Sequence, residues 1–206
     1  MIGYVPLFTP KRIPASDIEF PTSLKPALCE STPEFIDLIG REVLLSSRAL
    51  ALLCSSKCPD HAILAAYDLA SKWSSEGKCV ISGFQSPVEK ECLRVLLRNS
   101  APIVVCPARS LHGLRIPAAW KKPIEEGRLL LVSTFKDYED RNRINLAQQR
   151  NEIVAALASE VFVVHASPDG KLEALCRKLV KGGKPTFTFD HQENAQIIAL
   201  GVRPSV

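Results

Sequence analysis

The sequence predicts an α/β protein built on a doubly wound, mostly parallel sheet with helices on both faces. Two observations carry that expectation. From about residue 48 onward, apolar runs of about five residues alternate with helical stretches of about ten or more. The short runs are apolar on both faces, as strands are when a parallel sheet is covered on both sides. The composition agrees: 46% of the 206 residues are hydrophobic and 23% charged, enough apolar mass for a core and too much for a disordered chain. About six such units make a Rossmann-like sheet.

The elements follow in order. Residues 1–33 carry Pro6, Pro10, Pro14, Pro21, Pro26 and Pro33, which predicts an extended arm wrapping the domain. Thr32-Pro33-Glu34 reads as a helix start for PEFIDLIG, ending at Gly40. Residues 1–47 are therefore expected to form an arm and short helix packed on a Rossmann-like domain over 48–206. Within that domain the predicted strands are Ala49–Cys54, Lys78–Gly83, Ile103–Cys106, Leu129–Ser133, Val161–His165 and Pro185–Phe189. The predicted helices are Pro59–Glu76, Pro87–Asn99, Pro117–Glu126, Leu146–Ser159, Lys171–Lys181 and Gln192–Leu200. No internal repeat and no low-complexity segment is evident.

Charge and cysteine usage narrow the class. Lys+Arg outnumber Asp+Glu 26 to 22, a mild basic bias that permits phosphate contact without requiring it. Aromatics make up only 6%, which argues against a surface of stacked aromatic platforms. The seven cysteines are odd in number, and several lie in apolar runs such as ALALLC and APIVVC. Buried reduced thiols fit that pattern better than a disulfide framework, and point to the cytoplasm. The first twenty residues lack the apolar stretch of a signal peptide. No segment approaches the ~20 apolar residues of a membrane-spanning helix, so no membrane association is expected.

In such folds ligands bind beyond the carboxyl ends of the strands, where the strand order reverses. The segments to read are Ser55-Ser56-Lys57, Ser82-Gly83-Phe84-Gln85-Ser86, Pro107-Ala108-Arg109-Ser110, Thr134–Asn145 and Ala166–Gly170. Small hydroxylic residues, a glycine and a lysine at strand ends make an anion site where backbone N–H groups and helix N-termini face an oxyanion. The same serines also suit helix caps and turns. Neither GxGxxG nor GxxxxGK[ST] occurs. Arg141, Arg143 and Arg150, spaced by Asn and Gln, offer bidentate phosphate partners, with Asp137, Glu139 and Asp140 to balance them as a solvated face. Arg150 is expected near a helix start, pointing into the crevice. Cys54, Cys58 and His61 lack a second ligand pair with metal spacing, so no metal and no other cofactor is expected. His165, at a strand end without a nucleophile to pair with, reads as a capped or partly buried histidine. GxSxG and HExxH are both absent.

These residues, taken in order, resemble the DNA-processing protein A (DprA/Smf) family of Rossmann-like proteins. Leu52-Leu53-Cys54-Ser55-Ser56-Lys57 stands where the family has a strand followed by GSR. Val80-Ile81-Ser82-Gly83-Phe84-Gln85-Ser86-Pro87 stands at its SGGARGID motif. Gln149-Arg150-Asn151-Glu152, followed by the apolar Val161–Val164, stands at its RNR helix and strand. Phe20-Pro21, Leu24, Pro33 and Gly40 resemble its lead-in, and Asn194, Ile197, Ile198 and Gly201 its closing helix, so the likeness covers about residues 19–203. Cys54 replaces a glycine, a second glycine and an arginine are missing after Gly83, and Glu152 replaces the second arginine of RNR. The family's accessory domains are not evident.

The resemblance implies a non-catalytic protein that binds single-stranded DNA or another phosphate-containing ligand. It further implies a RecA-type recombinase as partner, a role in natural transformation, and a homodimer. It assigns phosphate contact to Lys57 and Arg150, with Asn151 beside it, and backbone approach to Ser82-Gly83. Ser55 and Ser56 join that ligand set, and Arg109, Arg141 and Arg143 are the nucleic-acid candidates. Two other readings stay open. One is a nucleoside-monophosphate phosphoribohydrolase, whose PGGxGTxxE loop Ser167–Glu173 faintly echoes. The other is a degenerate member that senses a nucleotide or docks a protein.

Overall fold

The computed structural model describes residues 8–24, 32–136 and 143–205, with the side chains of Arg143 and Ile144 left aside. The described residues form one nine-stranded sheet in the order β1-β2-β6-β5-β4-β3-β7-β8-β9. Its strands are β1 (Lys11–Pro14), β2 (Phe35–Ile39), β3 (Leu50–Leu53), β4 (Val80–Ser82), β5 (Ile103–Val105), β6 (Leu129–Ser133), β7 (Glu160–Val163), β8 (Thr186–Thr188) and β9 (Arg203–Pro204). From β6 across to β9 every neighbouring pair is parallel. β2 runs antiparallel to β6, and β1 antiparallel to β2.

The helices are α1 (Asp60–Ser75), α2 (Pro87–Arg98), α3 (Ala118–Glu125), α4 (Arg143–Leu157), α5 (Lys171–Lys181) and α6 (Ala195–Ala199). The alternation expected from the sequence holds through all six, with ends shifted by a few residues. Two cores result, one on each face of the sheet. Ala66, Ala70 and Trp73 of α1 pack with Val88, Leu93 and Leu96 of α2 over Leu52, Ile103 and Leu131. On the other face, Val154 and Ala155 of α4 and Leu175 and Leu179 of α5 pack over Ala51, Ile81, Val104 and Val161. Strands β3 to β7 are buried on both sides because helices cover both sides, which is why they are apolar apart from the end residues Ser82, Ser133 and Glu160.

The helix expected over PEFIDLIG is a strand. All five residues of β2 are buried, so no helical stripe exists, and a short apolar run has no period that separates strand from helix. Pairing with β6 and β1 decides the matter. Gly40 follows at φ +116°, and a Cβ there would meet the Leu129 carbonyl oxygen at 2.5 Å. It is thus a close-approach glycine at a strand end rather than a helix cap. Within β2, Asp37 is fully buried and accepts two hydrogen bonds from Arg12, at 2.8 and 2.7 Å. The Arg12 guanidinium also lies over the Phe35 ring, at 3.6 Å.

Candidate nucleic-acid interface at the strand ends

β3 lies between β4, β5 and β6 on one side and β7 and β8 on the other, so the strand order reverses between β3 and β7. The segments after β3, β4 and β7 therefore surround the crevice that this topology leaves for ligands. Most of the predicted site residues converge there, and the structure separates them into a closed floor and an open rim.

Ser55 closes the switch point. Its N–H donates to the His165 carbonyl at 2.9 Å, and its hydroxyl accepts from the Ser167 N–H at 3.0 Å. The hydroxyl of Ser82, fully buried, accepts from the Phe84 N–H at 3.1 Å and supports Phe84 at φ +48°. Ser86 caps α2 by accepting from the Glu89 N–H at 3.2 Å. Each of these three hydroxyls is thus occupied within the chain. His165 is buried, with Nδ1 3.2 Å from Asn194 Oδ1. Asn194 in turn donates to the Val164 carbonyl and to Thr188 Oγ1.

Arg150 is the central cation of the floor. α4 begins at Arg143, so Arg150 sits two turns into the helix instead of near its start, and only 4% of it is exposed. Its Nε donates to Asn151 Oδ1 at 2.8 Å, while the buried Nη1 has no hydrogen-bond partner. The guanidinium lies against Gly83, where a Cβ would fall 1.4 Å from Nη1. Gly83 is needed here because any side chain would occupy the space of the arginine. Burial lowers the Arg150 pKa from its usual value, and the charge of Glu89 offsets part of that.

Glu89 is the residue that sequence reasoning missed. Only 2% exposed, it accepts the Cys54 N–H at 3.0 Å on Oε1, and the Gln85 and Ser86 N–H groups at 2.9 and 3.1 Å on Oε2. The signal in the sequence was the S-x-x-E pattern from Ser86 to Glu89, a capping box.

The rim differs. Ser56 and Lys57 are exposed after β3, and Arg109 is exposed after β5, two strands further along the same sheet edge; the Lys57 and Arg109 side chains make no hydrogen bond or ion pair among the described residues. The Arg109 carbonyl accepts from Ser133 Oγ at 2.8 Å, which fixes the loop that carries it. Arg141 lies outside the described residues, and Arg143 is described only as the first residue of α4. The basic cluster expected from Arg141, Arg143 and Arg150 is therefore divided: Arg150 belongs to the floor.

The cysteines after β3 form a thiol pair. Interaction with the Cys58 thiol, together with burial, pushes the Cys54 thiol up, while the same interaction pulls the half-buried Cys58 down; the Cys58 thiol itself donates to the Pro59 carbonyl at 3.7 Å. His61 pairs with Glu193 at 3.5 Å and sits edge-on to His191. In the loop after β7, Asp169 takes φ +56°, and its N–H donates to Glu173 at 3.0 Å. Glu173 also pairs with Arg177 at 3.3 Å.

Known proteins share this arrangement of strands and helices. DNA processing protein A from Streptococcus pneumoniae superposes with a TM-score of 0.76 at 16% identity, covering 96% of this chain and 71% of its own. Its counterpart from Helicobacter pylori, solved for its single-stranded DNA binding mode, gives 0.70 at 18% identity, over 93% of this chain and 88% of its own. A molybdenum cofactor binding protein from Rippkaea orientalis is more distant, at 0.56 and 11% identity, over 78% of this chain and 90% of its own. No curated protein matches by sequence. The sequence model of the family described as DNA recombination-mediator protein A matches residues 11–175, most of the chain and all but the last strands of the sheet, and the chain belongs to that family.

Proposed function

We propose that this protein binds single-stranded DNA along the rim of the crevice and performs no reaction of its own. The observation that carries the reading is the family match over residues 11–175. It is supported by the Helicobacter pylori relative, whose reported property is single-stranded DNA binding. Exposed Lys57 and Arg109 supply cations beside the strand ends that have no partner among the described residues. Arg141 and Arg143 extend the basic segment that leads into α4. Arg150, Asn151, Ser82 and Gly83 shape the floor, while Ser55 and Ser56 hold and flank the loop that presents Lys57. A RecA-type recombinase and a second copy of the chain are the protein partners on this reading, in the cytoplasm.

The test is fluorescence anisotropy with a labelled single-stranded oligonucleotide at low and high salt. Binding that weakens with salt, and weakens further in Lys57→Ala and Arg109→Ala, is the expected result, because phosphate neutralisation releases counterions. No binding at low salt overturns it. Light scattering tests the dimer, and co-elution with a RecA-type recombinase on DNA tests the assembly.

The phosphoribohydrolase reading gains less. Its signature places glycines where Asp169 stands, and Glu173, the candidate carboxylate, is bound to the Asp169 N–H and to Arg177. A backbone cradle for phosphate would have to break those contacts.

A further inference from the structure

Three backbone N–H groups from two separate loops converge on one oxyanion in this crevice, and that oxyanion belongs to the chain. Cys54, at the end of β3, donates to one oxygen of Glu89; Gln85 and Ser86, in the loop after β4, donate to the other. The twelve-residue helix α2 begins at the same place and turns its positive end there; Pro87 brings no N–H, and the Glu89 N–H is already bound by Ser86 Oγ at 3.2 Å. Arg150, more than nine-tenths buried, brings a charge that interacts with Glu89 and an Nη1 that has no partner. Amides, a helix N-terminus and a buried guanidinium are the parts from which phosphate seats are made.

We infer that Glu89 is a resident anion occupying the phosphate seat of the crevice, so that the protein refuses a terminal phosphate there and leaves polyanions to the exposed rim. The three amides of the seat are already filled by Glu89, which makes it the residue that sets ligand class. A free phosphate must displace a tethered carboxylate whose effective concentration is far above that of any solute. A phosphodiester chain crossing Lys57 and Arg109 meets no such competitor. The inference stands whether or not the rim binds DNA.

The test adds inorganic phosphate, and separately formate, to the wild type and to Glu89→Ala. It follows melting temperature and the amide resonances of Cys54, Gln85 and Ser86. In the wild type neither anion should move the three resonances or the melting temperature. In Glu89→Ala both anions should raise the melting temperature and shift all three amides together. Anion affinity should rise by about tenfold or more over wild type, and Arg150→Met in the Glu89→Ala background should remove the gain. If Glu89→Ala is unfolded without added anion, recovery of structure on adding formate is the same positive result. Wild-type amides that respond to phosphate overturn the inference. So does a Glu89→Ala chain, folded or not, that responds to neither anion. Oligonucleotide anisotropy on the wild type reads the rim separately, so failure of one reading leaves the other visible.

Discussion

Glu89, in the first turn of α2, and Lys57, in the loop after β3, stand at the same crevice under opposite constraints. Glu89 is sealed from solvent and bound to three amides; Lys57 projects into water and is bound to nothing among the described residues. The floor contributes stability, and each change there leaves a buried group without its partner. The rim contributes charge, and a change there costs the fold little. The positions able to recognise a ligand by electrostatics are thus physically separate from those that hold the strand ends in place.

The comparison breaks most clearly at the floor. Glu89→Ala leaves three N–H groups without acceptors, and an unsatisfied buried donor costs about 1–3 kcal/mol. An overall loss of about 3 kcal/mol in urea unfolding is expected, with water recovering part of the penalty. Gly83→Ala comes next. Its Cβ would fall on the Arg150 guanidinium, so the arginine must leave its place and give up the bond to Asn151. A loss of about 2 kcal/mol is expected, as for other overpacked sites. Pairing Gly83→Ala with Arg150→Ala should cost less than the sum of the single changes, because the clash is gone. Strict additivity in that cycle would show that Gly83 is not there to make room for the arginine.

This division explains what could be read in the sequence. The parallel body was legible because double-sided burial writes continuous apolar runs, as in LALL of β3 and LLLVS of β6. β2 misled because FIDLI, between Pro33 and Gly40, carries the punctuation of a short helix, and its partner β6 lies about ninety residues away in the chain. At the site, Arg150-Asn151 was legible as a helix pair turned toward the crevice and Ser82-Gly83 as strand-end residues, but their contact was not. Glu89 was hidden more deeply. Its capping role is local, yet the Cys54 N–H that completes the seat comes from 35 residues earlier. Exposure was equally unreadable: three arginines looked alike until the fold buried one.

At the rim the expected effects on stability are small and those on binding are not. Lys57→Ala and Arg109→Ala should each unfold within about 0.5 kcal/mol of wild type, as exposed substitutions usually do. Each should lower oligonucleotide affinity and reduce the slope of log K against log salt by about 0.7 for every phosphate that is no longer neutralised. A change that destabilises the fold but leaves that slope untouched would place the residue on the floor instead.

The smallest effects concern the thiols, which sharpen the same boundary by a chemical measure. Burial pushes Cys79 up to about 11, and Cys92, Cys106 and Cys176 up to about 12, from an ordinary value of 9.0. The neutral thiol is the form that the folded state holds, whereas the unfolded chain ionises at its ordinary value. Their contribution to stability is therefore full below pH 9 and is lost as the pH rises from there toward about 12. Unfolding free energy measured across that range should fall steadily, on top of any loss from other groups. Alkylation at about pH 8 reads the site directly, because the thiolate is the reacting species. Among the described cysteines, Cys58, half-buried and lowered by its interaction with Cys54, should be labelled first, with Cys54 and the four core thiols reacting only as the chain opens. Mass spectrometry after a brief exposure to iodoacetamide gives the order. Labelling of Cys54 ahead of Cys58 would mean that the loop after β3 opens as a unit, carrying the Cys54 amide away from Glu89. In that event the floor and the rim would be one moving element, with no fixed boundary between them.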